Sequence, residues 1–259
     1  MIQQPLSAQG RAGRQRGVTL IEMMIALTIT VFLLAAMLSV LTAFRYTRQT
    51  QNGLSQMQDD QRIAMTMLTQ IIQSAGYFAS VQTDVALTAF PAASVFAENG
   101  QSVFGIEGAS SSLPDTIYVR YQSGLNDGVL NCNGGTNTSS GTPVTYINAI
   151  TVAQGTLQLT CALNGGTAQP IVGGVNTSGS AATACTAVGY LGISNIQFLY
   201  GMDAGGTGSV TQYGNATAVT NWANVNSIRP TITMLYCTQI GALPTAVPFT
   251  TTIALQNFL

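Results

Sequence analysis

Three features of this sequence have the residue types and spacing to do chemistry: a lone carboxylate inside an apolar run, four cysteines, and an aspartate in a glycine-rich stretch. Glu22 is the one charge between Arg16 and Arg45, within the run VTLIEMMIALTITVFLLAAMLSVLTAF from Val18 to Phe44. A carboxylate in a bilayer helix costs up to ~3 kcal/mol on insertion scales, so it asks for a cationic partner. Cys132, Cys161, Cys185 and Cys237 read as disulfides rather than a zinc site, because no C-x-x-C spacing exists and the chain has no histidine. Asp203 lies in GMDAGGTGS, which vaguely has the look of a calcium loop. Such a loop needs several carboxylates or amides at alternate positions, and Asp203 alone reads as part of a flexible turn. Glu98 and Glu107 could be imagined as an acid/base pair, but nothing in the sequence brings them to one site; they read as solvated loop acids.

The residues that are missing exclude more. All eight basic residues are arginines: Arg11, Arg14, Arg16, Arg45, Arg48, Arg62, Arg120 and Arg229. Without histidine or lysine there is no Ser-His or Cys-His pair, Schiff base, Walker-type phosphate loop or Ser-Lys dyad. The chain therefore reads as no enzyme, with no cofactor and no metal. Beyond residue 80 two arginines stand against Asp84, Glu98, Glu107, Asp115, Asp127 and Asp203, a balance of 2 − 6 = −4. Nucleic acid is not expected as a partner, since phosphate binding needs clustered cations.

These residues must be positioned by a helix and then by a sheet. As a helix the 27 residues from Val18 to Phe44 span ~40 Å, against ~30 Å for a bilayer core, and no second such run follows. The upstream arginines place residues 1–17 on the cytoplasmic side, with everything after residue 50 exported. An ordinary secretory signal fits badly: the apolar run is too long, and no small-residue cleavage site closes it before Phe44, Arg45 and Tyr46.

Gly17-Val18-Thr19-Leu20-Ile21-Glu22, preceded by Arg14 and Arg16 and followed by the apolar helix, resembles the class III signal of type IV prepilins and pseudopilins. The resemblance implies that a membrane-embedded prepilin peptidase cuts between Gly17 and Val18 and methylates the new N-terminus, leaving 259 − 17 = 242 residues. Val18 stands where phenylalanine is usual. Glu22 becomes the fifth mature residue, the family's carboxylate that pairs with the terminal amine of a neighbouring subunit.

Past the apolar run, Leu54, Met57, Gln61, Ala64, Leu68, Ile71 and Ala75 recur at steps of three and four, one face of a helix running from Val18 to Ala75. Leu54, Met57, Leu68 and Ile71 are expected under a sheet, and Met57, Met65 and Met67 as core filler. Gly53 weakens the middle by about 1 kcal/mol relative to alanine, and Gly76 ends the helix. Strands are expected at Asp115–Tyr121, Thr145–Val152, Thr156–Cys161, Ile193–Tyr200, Ile228–Tyr236 and Phe249–Leu255, with a hairpin turn at Gln154-Gly155 and loops at Asn133-Gly134-Gly135, Asn164-Gly165-Gly166 and Gly205 to Gly208. Four cysteines allow three pairings. Cys132 with Cys161 and Cys185 with Cys237 is the pairing expected, with the others open. The first would close a loop worth on the order of 3 kcal/mol by loop entropy.

Ser74-Ala75-Gly76-Tyr77, the cysteine pair flanking a Gly/Asn-rich insertion, Ile196-Gln197-Phe198-Leu199-Tyr200-Gly201-Met202-Asp203, Trp222 with Val225 before an arginine-bearing strand, and Leu255-Gln256-Asn257 together resemble the PilW group of type IV minor pilins. Gln256 replaces an expected arginine, and the Asp203 loop lacks other acids common in relatives. The implied fold is α+β and type IV pilin-like: a long N-terminal helix, transmembrane in its first half and amphipathic in its second, packed on a C-terminal antiparallel β-sheet domain. The expected parts are a leader (1–17), a transmembrane half-helix (18–44), an amphipathic half-helix (45–76) and an exported disulfide-containing domain (77–259). The implied role is a minor pilin of a priming or tip complex, passing from the bacterial inner membrane, with its C-terminal domain periplasmic, to a surface fibre. Its partners would be the prepilin peptidase, other minor pilins, the major pilin and a large tip adhesin. Competing readings are a type II secretion pseudopilin and a membrane-anchored periplasmic binding module or adhesin.

Overall fold

The computed structural model describes residues 17–256 apart from 81, 83, 140, 142 and 175–183. The leader through Arg16 and Asn257 lie outside the described residues. The first element, α1, runs 54 residues from Leu20 to Gln73. Every residue from Gly17 through Gln49 is exposed, and its apolar part is long enough to cross a membrane. The compact unit begins within the helix, at Gln49.

From that point α1 buries Gly53, Met57, Ala64, Leu68, Ile71 and Ile72. Leu54, expected on this face, is 40% exposed. Gly53 takes its place because the backbone of the sheet comes too close for a side chain: a Cβ there would sit 2.9 Å from the Gly189 Cα and 3.0 Å from the Tyr190 nitrogen. The glycine that looked like a weak point is the site of closest approach. Nearby, the Tyr236 hydroxyl donates to the Thr50 carbonyl at 3.1 Å. Met57 is in the core and Met65 packs against it, whereas Met67 lines an open groove. The helix stops two residues short of Ala75, and Gly76 follows with φ +73°, its N–H donating to the Arg120 carbonyl.

A short helix, α2 (Ala86–Ala89), precedes a five-stranded antiparallel meander of β1 (Val103–Ile106), β2 (Thr116–Ser123), β3 (Val144–Ala153), β4 (Gln158–Leu163) and β5 (Gln169–Gly173). The second sheet contains β6 (Gly189–Met202), β7 (Gln212–Gly214), β8 (Val225–Cys237), β9 (Thr245–Thr250) and β10 (Ile253–Ala254). In it β8 pairs with β6, β9 and β10, and β7 pairs with β6. The expected strand Phe249–Leu255 is split: Phe249 and Thr250 end β9, Ile253 and Ala254 form β10, and Thr251, Thr252 and Leu255 belong to neither. Thr156 and Leu157 belong to the turn before β4, not to a strand, because Leu157 adopts φ +55° and its carbonyl accepts the Ile193 N–H at 2.7 Å. That bond joins the two sheets.

Alternation along the strands puts Ile117, Val119, Ile150 and Leu159 of one sheet, and Ile193, Ile196, Phe198 and Ile232 of the other, into one core with the helix face. Buried Asp115 ties the sheets together. Its Oδ1 accepts the Gly108 N–H (2.9 Å) and the Gln197 side-chain amide (3.2 Å), and its Oδ2 accepts the Phe198 N–H (2.9 Å).

Arg120 in β2 is buried at 2% exposure. Its guanidinium donates to the carbonyls of Gln101, Pro91 (2.7 Å), Phe90 (3.1 Å) and Glu98 (3.4 Å), with the Phe96 ring 4.3 Å away. Burial lowers its pKa to about 10, which leaves it charged at neutral pH. A planar fork serving four carbonyls has no substitute in lysine. Arg120→Met is expected to destabilise the protein by on the order of 3 kcal/mol, because buried carbonyls lose their donors. Arg120→Lys should recover little of that. Denaturant unfolding of the detergent-solubilised protein checks both, and a loss under 1 kcal/mol would contradict the bracing role.

Candidate processing and subunit-pairing site

Gly17, Val18 and Thr19 precede the helix, and Glu22 lies in its first turn. Gly17 needs no glycine for this chain's own sake: a Cβ there meets nothing within 4 Å. Val18 is 70% exposed. Thr19 caps α1 in two ways, its carbonyl accepting the Met23 N–H (3.2 Å) and its Oγ1 the Glu22 N–H (3.4 Å). Glu22 therefore stands where the helix dipole is positive, which favours an anion. One local device places Gly17, Val18 and Glu22 within six residues.

The cysteines lie elsewhere, in the compact unit. Cys132 is bonded to Cys161 and Cys185 to Cys237. The first bond fastens the loop after β2 to β4. The second fastens the segment entering β6 to the end of β8, where Cys185 also exchanges backbone bonds with Gly241 and Ala242. These links brace the sheets.

Asp203 spends its carboxylate on its own turn. Oδ1 accepts the Gly205 N–H (3.2 Å) and the Thr207 hydroxyl (3.3 Å), and Oδ2 accepts the Gly208 N–H (2.6 Å) and the Asn226 side-chain amide (3.5 Å). Burial pushes its pKa up, but the donors from Thr207, Gly208 and Gly205 outweigh this and hold it below the usual carboxylate value. A cation here would have to displace those donors. Glu98 is exposed, and Glu107 accepts the Thr217 hydroxyl at 3.3 Å; nothing joins the two acids. Among the described residues no group of three His, Cys, Asp or Glu side chains could hold a metal ion. An open groove of about 530 Å³ beside α1 is lined by Met67, Ile71, Tyr77, Val129 and Leu130, with no carboxylate or arginine in its wall.

Asp60 was not singled out by the sequence. Burial raises its pKa, opposed by the Tyr190 hydroxyl and reinforced by Asp59, although no hydrogen bond of regular geometry joins Asp60 to Tyr190. A raised carboxyl pKa means the folded protein holds this proton to higher pH than the unfolded chain does. Stability from this residue is therefore present below the ordinary value of 3.8 and lost as pH rises through the folded-state value. Relative to Asp60→Asn, the wild type should lose unfolding free energy over that window and then level off. A difference that stays flat across acidic pH, or runs the other way, would contradict the assignment.

Comparison with known proteins now bears on this arrangement. Residues 146–239, from within β3 to just past β8, match the family described as Type IV Pilus-assembly protein W. Residues 13–38, which include Gly17, Val18, Thr19 and Glu22, match the prokaryotic N-terminal methylation motif. No curated protein sequence matches the chain. Among solved structures, a type IV-like pilin from Thermus thermophilus aligns at 10% identity over 78% of this chain and 98% of its own, with a TM-score of 0.41.

Proposed function

We propose that this chain is a type IV pilus minor pilin of the PilW group and serves in a priming or tip complex that starts pilus assembly and supports a large tip adhesin. A prepilin peptidase removes residues 1–17 and methylates Val18. The subunit waits in the inner membrane with its sheets in the periplasm, an oxidising compartment in which both disulfides form. It then enters the fibre beside other minor pilins and the major pilin.

One observation carries this reading. A single carboxylate, Glu22, sits exposed in the first turn of a helix whose next 22 residues, to Phe44, are uncharged and exposed. A plain anchor has no use for a carboxylate that costs energy in lipid, whereas a subunit joining a bundle has a neighbour's amine to offer it. The family matched over residues 146–239 is described as one of pilus assembly, which suits a structural subunit.

The test is to shear fibres from cells, identify this chain in them by mass spectrometry, and count fibres after its deletion. The chain should be present in small amount, and deletion should reduce fibre number sharply while leaving type II secretion intact. Normal fibres with failed secretion would assign it to the pseudopilins instead.

A further inference from the structure

We infer that a small cavity beside Trp222 is a binding site for one neutral hexose ring, a site that does not depend on the pairing role proposed above. The cavity, of about 200 Å³, lies between α2 with the segment joining it to β1 and the 3-10 turn Trp222–Asn224 that leads into β8. Drug-sized sites run to roughly 300–1,000 Å³, so this one suits a smaller ligand. Its wall contains no charged side chain, and nothing in it selects an ion. The uncharged wall is of two kinds: Leu87, Trp222 and Leu255 are largely apolar, whereas Asn99, Gln101 and Ser102 bring amides and a hydroxyl. A ligand that matches both has an apolar C–H face and a rim of hydroxyls, and carries no charge. A pyranose ring combines those three properties.

The polar groups of the wall are held in place without being used up. Asn99 Oδ1 accepts the Ala92 N–H at 2.7 Å, which fixes the carboxamide and leaves Nδ2 without a partner among the described residues. Gln101 uses both ends of its amide, Oε1 accepting the Glu98 N–H (3.3 Å) and Nε2 donating to the Val103 carbonyl (3.0 Å), so it shapes the wall. The Ser102 hydroxyl and Trp222 Nε1 engage nothing among the described residues. Both sides of the cavity are also braced. Arg120, donating to the carbonyls of Phe90, Pro91, Glu98 and Gln101, pins the loop on which Asn99 and Ser102 stand, and the Gly100 N–H donates to the Phe90 carbonyl at 2.7 Å. Opposite, the Trp222 ring lies 5.2 Å from Phe104 and 4.9 Å from Tyr200 between centroids, and the Asn221 side chain caps its turn by accepting the Ala223 N–H at 2.9 Å. A wall ordered before the ligand arrives loses less entropy on binding.

Trp222 is the only tryptophan of the chain, so tryptophan emission reports on this cavity alone. The experiment titrates the full-length chain in detergent with glucose, galactose, mannose and N-acetylglucosamine, and with sorbitol as a polyol that has no ring. At least one of the sugars should shift the emission saturably, with a Kd on the order of 1 mM, the scale open to a ligand of this size. Sorbitol should not. Asn99→Asp keeps an acceptor for the Ala92 N–H and removes the donor, while Ser102→Ala removes a hydroxyl that has no other partner. Each should weaken binding about five-fold, the factor for one lost hydrogen bond. Circular dichroism identifies the variants that fold, and Ser102→Ala decides if Asn99→Asp does not. Disaccharides that carry the bound hexose at their non-reducing end separate its sources. Binding kept or tightened assigns a glycan terminus, binding lost assigns a free sugar, and both uphold the site. No saturable shift with any of the sugars up to ~50 mM, an equal response to sorbitol, or wild-type affinity in every folded variant overturns the inference.

Discussion

Gly17→Val is expected to leave the chain in the membrane as an uncut precursor, with at least about ten-fold less cleaved product than wild type at equal times. That is the scale on which an enzyme pocket discriminates against extra side-chain atoms. Gly17→Ala is expected to be cut at close to the normal rate. The argument turns on what the glycine is for. Glycine is required where φ is positive or where another group comes too close for a Cβ. Within this chain Gly17 meets neither condition: it is absent from the glycines with positive φ, and a Cβ would meet nothing within 4 Å. On the proposed reading the demand for glycine comes from outside the chain, from a peptidase whose active site would press against the backbone between Gly17 and Val18. The peptide is suited to this, because the helix begins only at Leu20 and the three residues before it are exposed. Exclusion should therefore grow with side-chain size. Immunoblotting of precursor and mature forms, with the mature N-terminus confirmed by mass spectrometry, decides it. Normal processing of Gly17→Val would remove the assigned cleavage site.

How much of this was legible in the sequence follows from how local each feature is. The glycine, the carboxylate and the apolar run are close together in the chain, so the motif they form, and the candidate site its resemblance implies, could be read without the fold. The long strands announced themselves by β-branched and aromatic runs. The short ones did not: β1 reads VFGI, β5 QPIVG and β7 QYG, each of five residues or fewer and each containing glycine. Their pairing is decided by neighbouring strands and not by their own composition. Non-local roles were invisible for the same reason. Gly53 looked like a flaw in a helix because its reason is Gly189, in β6. Arg120 was one basic residue among eight, since its four carbonyl partners belong to a loop whose path no periodicity foretells. Leu54 was placed on the buried face by spacing, and the close approach at Gly53 leaves it 40% exposed. Thr19 is the opposite case, since its T-x-x-E spacing is plain in the sequence. It went unread because the surrounding motif already accounted for it.

Replacing Glu22 with valine should reduce this subunit in sheared fibres, relative to the membrane fraction, by about a hundred-fold or more. Cleavage after Gly17 should be normal and membrane insertion unharmed. The two halves of that expectation have opposite physical signs. In the membrane the carboxylate is a cost of up to ~3 kcal/mol, so removing it favours insertion. In a fibre the proposed partner is the positive amine of Val18 on the adjacent subunit, brought close where the dielectric is low and opposite charges attract strongly. Breaking such a pair by deleting one member costs about 3 to 5 kcal/mol, because the other is left buried and charged, and every 1.4 kcal/mol is a factor of ten. The structure places Glu22, exposed, in the first turn of the helix, at the positive end of its dipole. The compact unit is spared, since it begins at Gln49 and no bond within it involves Glu22. A fixed anchor predicts the contrary result, a neutral or mildly stabilising change, so one mutant separates the two classes of function. An unchanged fibre-to-membrane ratio for Glu22→Val would exclude subunit pairing and shift the weight to a membrane-anchored binding module.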